Sequence, residues 1–135
     1  MAEGKVEFEL VSPERLLESQ PVDMVVVPGT EGNFGVLPGH SPLISGVRMG
    51  TIDIYEGGQI TRRIFVAGGF AEVTAARCTV LAEQAFPVED LDRASVEAEI
   101  RSWEDRLKDS ADDAERTGNA AGLAVAKGKL AAVSA

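Results

Sequence analysis

The hydrophobic period of this chain changes once, at Pro87, and that change limits the folds open to it. Upstream, apolar residues recur at every second position in short runs, the period of strands with one buried face. Downstream they recur at every third or fourth position, the period of helices. The sequence predicts a mainly β protein with an α appendage (α+β): an N-terminal antiparallel β-sandwich over residues 1–87, then a C-terminal antiparallel two-helix hairpin over residues 88–135.

In the first part, Val6, Phe8 and Leu10 alternate with Glu7 and Glu9, and Ser12 with Pro13 ends the run. A second strand is expected over residues 22–27, closing on Pro28 and Gly29. Further strands are expected over residues 34–37, 51–55, 60–67, 70–74 and 78–86. Between two of these runs, Gly57 and Gly58 supply the positive φ of a tight hairpin. Many short strands without intervening helices need a second sheet to cover their apolar faces, which favours a sandwich. With only seven aromatic residues, one Trp, one Tyr and five Phe, the core must be largely aliphatic.

Beyond Pro87, Val96, Ile100, Trp103 and Leu107 form one helical stripe within a first helix expected from Asp90 to Arg116. Glu97 with Arg101, Glu104 with Lys108, and Asp112 with Arg116 are acid-before-base pairs four apart, which suit an exposed face. Thr117, Gly118 and Asn119 read as the turn, and Leu123, Ala126, Leu130 and Val133 as the stripe of a second helix from about Ala120. Packing between the stripes, with Trp103 as a packing residue, closes the hairpin. Gly122 and Gly128 soften a second helix of about four turns, so the hairpin is expected to be mobile.

Net charge is −9, from 22 acids and 13 bases. Up to residue 88 there are 11 acids and 6 bases, and after it 11 and 7, so neither half is a basic module. Nucleic acid and anionic lipid are thereby poor partners. Met1 to Gly4 leads straight into a strand pattern without the look of a signal peptide, and no apolar run reaches the roughly 20 residues of a membrane span. Cys78 and His40 alone are too few for a zinc site, and no cofactor is expected. Gly29, Gly32, Gly35 and Gly39 do not build a phosphate loop: Val36 stands where a Walker loop needs Lys, and no G-x-G-x-x-G opens a helix. His40 beside Ser41 raises a small hydrolase as an alternative, but sequence neighbours seldom form a working dyad. Set among Pro38, Gly39 and Pro42, His40 suits a rigid contact loop better, because little entropy is lost on binding. Cys78, in a strand pattern, reads as core. The chain is expected to bind proteins rather than catalyse, either as an assembly subunit or as a free-standing adaptor.

The order VVVPGTEGNFGVLPGHSPLISGVRMGTI (residues 25–52), FVAGGFAEV (65–73) and VLAEQA (80–85) resembles the epsilon subunit family of bacterial F-type ATP synthases, equivalent to the mitochondrial delta subunit. The tail resembles it through residues 89–99. The resemblance implies a non-catalytic sandwich that joins the gamma subunit to the membrane c-ring in the central stalk, with catalysis on the alpha and beta subunits. It implies that Glu31, Gly32 and Asn33 face the c-ring, as do Gly39, His40 and Ser41, the latter also near gamma. It places the chain at the cytoplasmic face of a bacterial inner membrane, held there through its partners.

In that family the hairpin folds up or extends along gamma toward alpha and beta, slowing ATP hydrolysis. Some members hold ATP through Ile or Leu, Asp, two variable residues, Arg and Ala. Here Leu91, Asp92, Arg93 and Ala94 are followed by Ser95 and Val96 in the Arg and Ala slots, so ATP binding is expected to be weak or absent. Lys127 and Lys129 are the cations of the second helix, and inhibition is expected to be weak or vestigial.

Overall fold

A computed structural model describes residues 4–135, so the signal-peptide reading of Met1 to Gly4 falls, for Met1, Ala2 and Glu3, outside them. The strands are β1 (Val6–Val11), β2 (Leu16–Val22), β3 (Met24–Gly29), β4 (Gly32–Val36), β5 (Leu43–Glu56), β6 (Gln59–Val73), β7 (Arg77–Ala82) and β8 (Ala85–Pro87). A 3₁₀ turn at Val88–Asp90 precedes α1 (Arg93–Lys108) and α2 (Asp113–Ser134). The chain divides into two compact units, one ending at Pro87 and one starting at Val88.

The first unit is organised on β5 and β6, 14 and 15 residues long, which pair antiparallel from Leu43↔Val73 to Glu56↔Gln59. Their hairpin turns on Gly57 and Gly58 at φ 61° and 78°, the left-handed values a two-residue turn demands. Gly68 and Gly69 do not split β6 in two, as the sequence suggests; the strand turns a corner there. Residues 64–66 pair with β8 and residues 69–73 with β7. Gly69 sits at φ 143°, and a Cβ on it would lie 2.0 Å from the Leu81 carbonyl oxygen, so only glycine fits. The facing chain turns with it: Ala67 N donates to Gln84 O and Glu83 N to Gly68 O, each at 3.0 Å. For that reason the single run expected over residues 78–86 is two strands.

The corner lets one strand pair serve two layers. One layer holds β2, β1, β7 and the Leu43 and Val73 ends of β5 and β6; the other holds β4, β3, β8 and the remaining halves. Every second residue points inward, so Phe8, Leu10, Val73 and Val80 join Val25, Ile52, Ile54 and Ile64 in one buried, largely aliphatic cluster. Cys78 belongs to it, and burial pushes its thiol up to about 12, which leaves it protonated and unreactive.

Two features depart from the expected pattern. β1 and β7 run parallel, from Glu7↔Arg77 to Val11↔Leu81, within an otherwise antiparallel sheet. Such a pair has no connecting turn, so nothing local in sequence marks it. β2 was not expected, and the run over residues 22–27 breaks at Asp23. β2 is an edge strand that contains Pro21 and points Glu18 inward, where it pairs with Arg62 of β6 and accepts from Gln20 Nε2 at 3.0 Å. Inward charge and proline protect an edge from pairing with other chains, and they erase the apolar alternation that would reveal it. At the start of β1, Lys5 pairs with Asp23 and, at 2.9 Å, with Glu56, while Gly57 N donates to Asp23 at 2.7 Å. That bonding holds the Asp23 carboxyl below its ordinary range, with Lys5 the main cause and the Gly57 amide second.

The second unit corrects the helix boundaries. α1 stops at Lys108, and α2 starts at Asp113 with Asp112 as its N-cap, the carboxylate accepting from Glu115 N at 2.8 Å. Asp112 therefore caps rather than pairs with Arg116, which turns to Asp113 at 3.4 Å. Thr117, Gly118 and Asn119 lie inside α2. Asn119 Nδ2 donates to Arg106 O at 3.1 Å and Ser110 Oγ at 3.0 Å, so the residue read as a turn former completes the end of α1. At 22 residues α2 is longer than the expected four turns. Gly122 also changes meaning: a Cβ there would lie 2.6 Å from the Trp103 ring, so glycine admits the indole.

Because Gly118 has open space around it within a helix, Gly118→Ala should stabilise the hairpin by about 0.5–1 kcal/mol, whereas Gly122→Ala should destabilise it by about 1–3 kcal/mol through the indole clash. Helix-signal thermal melts of the two variants check both signs; equal effects would mean that the Trp103 contact is not formed.

Candidate functional site

The residues singled out for contact lie on two turns of the first unit. Thr30 and Glu31 turn between β3 and β4, with Gly29 facing Gly32 across the ladder. Thr30 N donates to Gly46 O at 3.0 Å, and the Thr30 methyl fills the space a Cβ on Gly46 would need, 2.9 Å away. Arg48 of β5 spans the base of the turn, donating from Nη1 to Gly29 O at 2.5 Å and from Nη2 to Asn33 Oδ1 at 2.6 Å. Glu31, Gly32 and Asn33 are all exposed, and the Asn33 carboxamide oxygen is turned to Arg48. Sequence reasoning missed Arg48. One signal was present: it is the only charged residue between Glu31 and Asp53.

Gly39, His40 and Ser41 follow β4. His40 N donates to Leu37 O at 3.2 Å around the Pro38 and Gly39 pair, and Gly39 N donates to Ala75 O at 2.8 Å, tying the turn to the end of β6. The His40 Nδ1 atom lies 2.6 Å from the Ser41 carbonyl oxygen rather than from its hydroxyl, so no nucleophile is activated there. Among the described residues no group of three or more His, Cys, Asp or Glu could hold a metal ion.

A third feature went unnoticed in the sequence. On the outward face, ladder partners Phe70↔Leu81, Leu81↔Val11 and Val11↔Leu16 set an apolar row across β6, β7, β1 and β2. Phe70 is 65%, Leu81 56% and Leu16 55% exposed, and Ile44, on the neighbouring β5, 74%. A groove of about 330 Å³ runs along it between Val11, Phe70 and Leu81. An outer sheet face normally carries polar residues, so a contiguous apolar row is the kind of surface a partner covers. Each of its residues alone looks like ordinary strand; only the register brings them together.

In the second unit, the degenerate nucleotide motif serves the fold. Asp92 caps α1, its Oδ2 accepting from Ser95 N at 2.9 Å and Ser95 Oγ at 2.8 Å. These two bonds, the backbone one first, hold its carboxyl below the ordinary 3.8. Arg93 donates to Ser134 at the far end of α2, and Leu91 is half-buried. Val96 is buried, while Ile100, Trp103, Leu107, Leu123 and Leu130 are half-buried. Trp103 stacks under Arg106, whose guanidinium carbon lies 4.6 Å from the ring centroid. Lys129, 9% exposed, donates to both Glu99 oxygens at 3.1 and 3.4 Å, while Lys127 remains exposed.

Residues 5–88 match the family described as ATP synthase, Delta/Epsilon chain, beta-sandwich domain. The chain is 57% identical over 126 residues to an ATP synthase epsilon chain of Rhodospirillum rubrum, covering 93% of this chain and 94% of that one. It is 49% identical over 134 residues to the ATP synthase epsilon chain of Paramagnetospirillum magneticum, covering 99% and 100%. Its fold is similar to a chain of the Euglena gracilis mitochondrial ATP synthase (OSCP/F1/c-ring), with TM-score 0.79, 21% identity and coverage of 98% and 84%. It is also similar to one in the Tetrahymena thermophila mitochondrial ATP synthase central stalk and c-ring, with TM-score 0.65, 14% identity and coverage of 98% and 99%.

The lowered carboxyls of Asp92 and Asp23 fix a sign for acid stability. Each contributes stability fully above its unfolded value and loses it as pH falls through the lower folded value. Unfolding temperature should therefore drop below pH about 4, and Asp92→Asn should flatten that drop in the helical signal. A melt series from pH 6 to pH 2 checks this; parallel curves for the variant and the parent chain would contradict it.

Proposed function

The chain belongs to the ATP synthase delta/epsilon family, and we propose that it is a non-catalytic subunit of the central stalk, joining gamma to the c-ring so that the two turn together. The observation that carries this reading is the outward apolar row through Phe70, Leu81, Val11 and Leu16, which we assign to gamma. Burying such side chains is worth roughly 25 cal/mol per Å², enough for a lasting contact. The turns at Glu31, Gly32, Asn33 and at Gly39, His40, Ser41 face the c-ring in this reading, the second also near gamma. Their short spans and internal hydrogen bonds support it, because a coupling under torque must not yield at its contacts. Membrane association is assigned to these partners, at the cytoplasmic face of a bacterial inner membrane. No helix among the described residues is long and apolar enough to cross a bilayer.

We assign a regulatory role to the hairpin, which reaches toward alpha and beta when it opens along gamma, with weak effect. In the closed hairpin Lys129 is committed to Glu99 and Arg93 to Ser134, which withdraws one of the two lysines of α2 from an acidic surface and the arginine of the degenerate motif from a triphosphate.

Phe70→Asp should cut co-purification of gamma and the c-ring with the tagged chain by about tenfold or more while the sandwich still folds. Quantitative mass spectrometry of solubilised membranes reads it, and undiminished recovery would rule out the row as the gamma contact. Truncation after Phe86 should raise the ATPase rate of the complex less than about twofold, and calorimetric titration of the intact chain with ATP should give no micromolar constant. A several-fold rise or a micromolar isotherm would reverse the corresponding assignment.

A further inference from the structure

The turn carrying Glu31 is held from outside its own sequence. β3 and β5 keep ladder register up to Val26↔Asp53, lose it, and resume at Gly29↔Val47. Within that gap Pro28 has no N–H to give, so the ladder cannot close by backbone alone. Where pairing resumes, the Gly29 carbonyl accepts from Arg48 Nη1, and the second arm of the same guanidinium donates to Asn33 Oδ1. One planar fork thus bridges the last residue of β3 and the second residue of β4, on either side of Thr30 and Glu31. Such a fork fixes direction as well as distance, which a lysine ammonium does not.

The partners divide the contact turn into two kinds of residue. Asn33 has its carboxamide oxygen engaged by Arg48, so it belongs to the frame. Glu31 is exposed and makes no hydrogen bond or ion pair among the described residues, so its carboxylate is the group presented outward. Thr30, fixed by the Gly46 carbonyl, anchors the other side. We propose that Arg48 is a positioning residue of the c-ring contact: by clamping Gly29 and Asn33 it holds the turn in the one conformation that aims Glu31 at its partner. This rests on the reading that the Glu31 turn meets the c-ring. An unclamped turn would have to be ordered at each binding event, at a cost set by the several backbone torsions it frees.

The test uses the full chain, amide exchange in the isolated protein, and affinity for a solubilised complex of gamma and the c-ring. Arg48→Met keeps the aliphatic stem and removes the fork. It should speed exchange of the Thr30 to Asn33 amides about tenfold and weaken binding by about tenfold, with the sandwich melting temperature little changed. Asn33→Leu should do the same to a smaller extent. Asn33→Asp keeps the acceptor oxygen and should keep the parent exchange rate, and Arg48→Lys, with a single ammonium, should fall between the parent chain and Arg48→Met in both readouts. Glu31→Ala should weaken binding and leave exchange unchanged. Weaker binding of Arg48→Met with unaltered exchange would mean that Arg48 touches the partner itself, and would overturn the proposal. Faster exchange with unaltered binding would overturn it as well, provided Glu31→Ala still weakens binding. If Glu31→Ala and Arg48→Met both bind normally while Phe70→Asp does not, the failure lies in the assignment of the turn to the c-ring.

Discussion

Everything in the first unit depends on the antiparallel pairing of β5 with β6 and the corner that β6 turns at Gly69. Backbone hydrogen bonds run along both strands from Leu43↔Val73 to Glu56↔Gln59, so the two layers are joined by continuous chain as well as by side-chain packing. Shear between the layers would have to break that ladder, and not merely slide apolar surfaces past one another. The small aromatic content fits: Val and Ile, with Leu10, fill most of the narrow space between layers, and Phe8 is the one ring in the buried cluster.

The same strand pair sets out the surfaces. Its Leu43 to Arg48 segment carries Gly46 and Arg48, which fix the Glu31 turn, and its 69–73 segment carries Phe70 into the apolar row. The two candidate contact regions are therefore placed by one rigid element. Their relative position does not depend on any loop longer than the turns themselves.

What the sequence made legible follows from how local each signal is. β1 was readable because its alternation is uninterrupted, and the Gly57 and Gly58 turn because a hairpin places its whole signal in four consecutive residues. β2 was hidden because an edge strand hides itself, with Glu18 inward and Pro21 in the run. The helix boundary was misplaced because Gly118 and Asn119 look like a turn in one dimension, while Asp112, whose capping bond makes the true start, looked like one more surface acid. In the candidate site the exposed Gly and Pro turns were visible from composition. Arg48 was not, since its partners lie 15 and 19 residues away and only the bulge between β3 and β5 brings them within reach. The apolar row was equally invisible, because it exists only in the strand register.

In the hairpin, the indole of Trp103 lies over Gly122 of the opposite helix and under Arg106 of its own. It is the single tryptophan of the chain. The protein thus carries an intrinsic optical gauge at the seam between its two helices: excited at wavelengths that tyrosine does not absorb, its emission reports the surroundings of that one indole without any label.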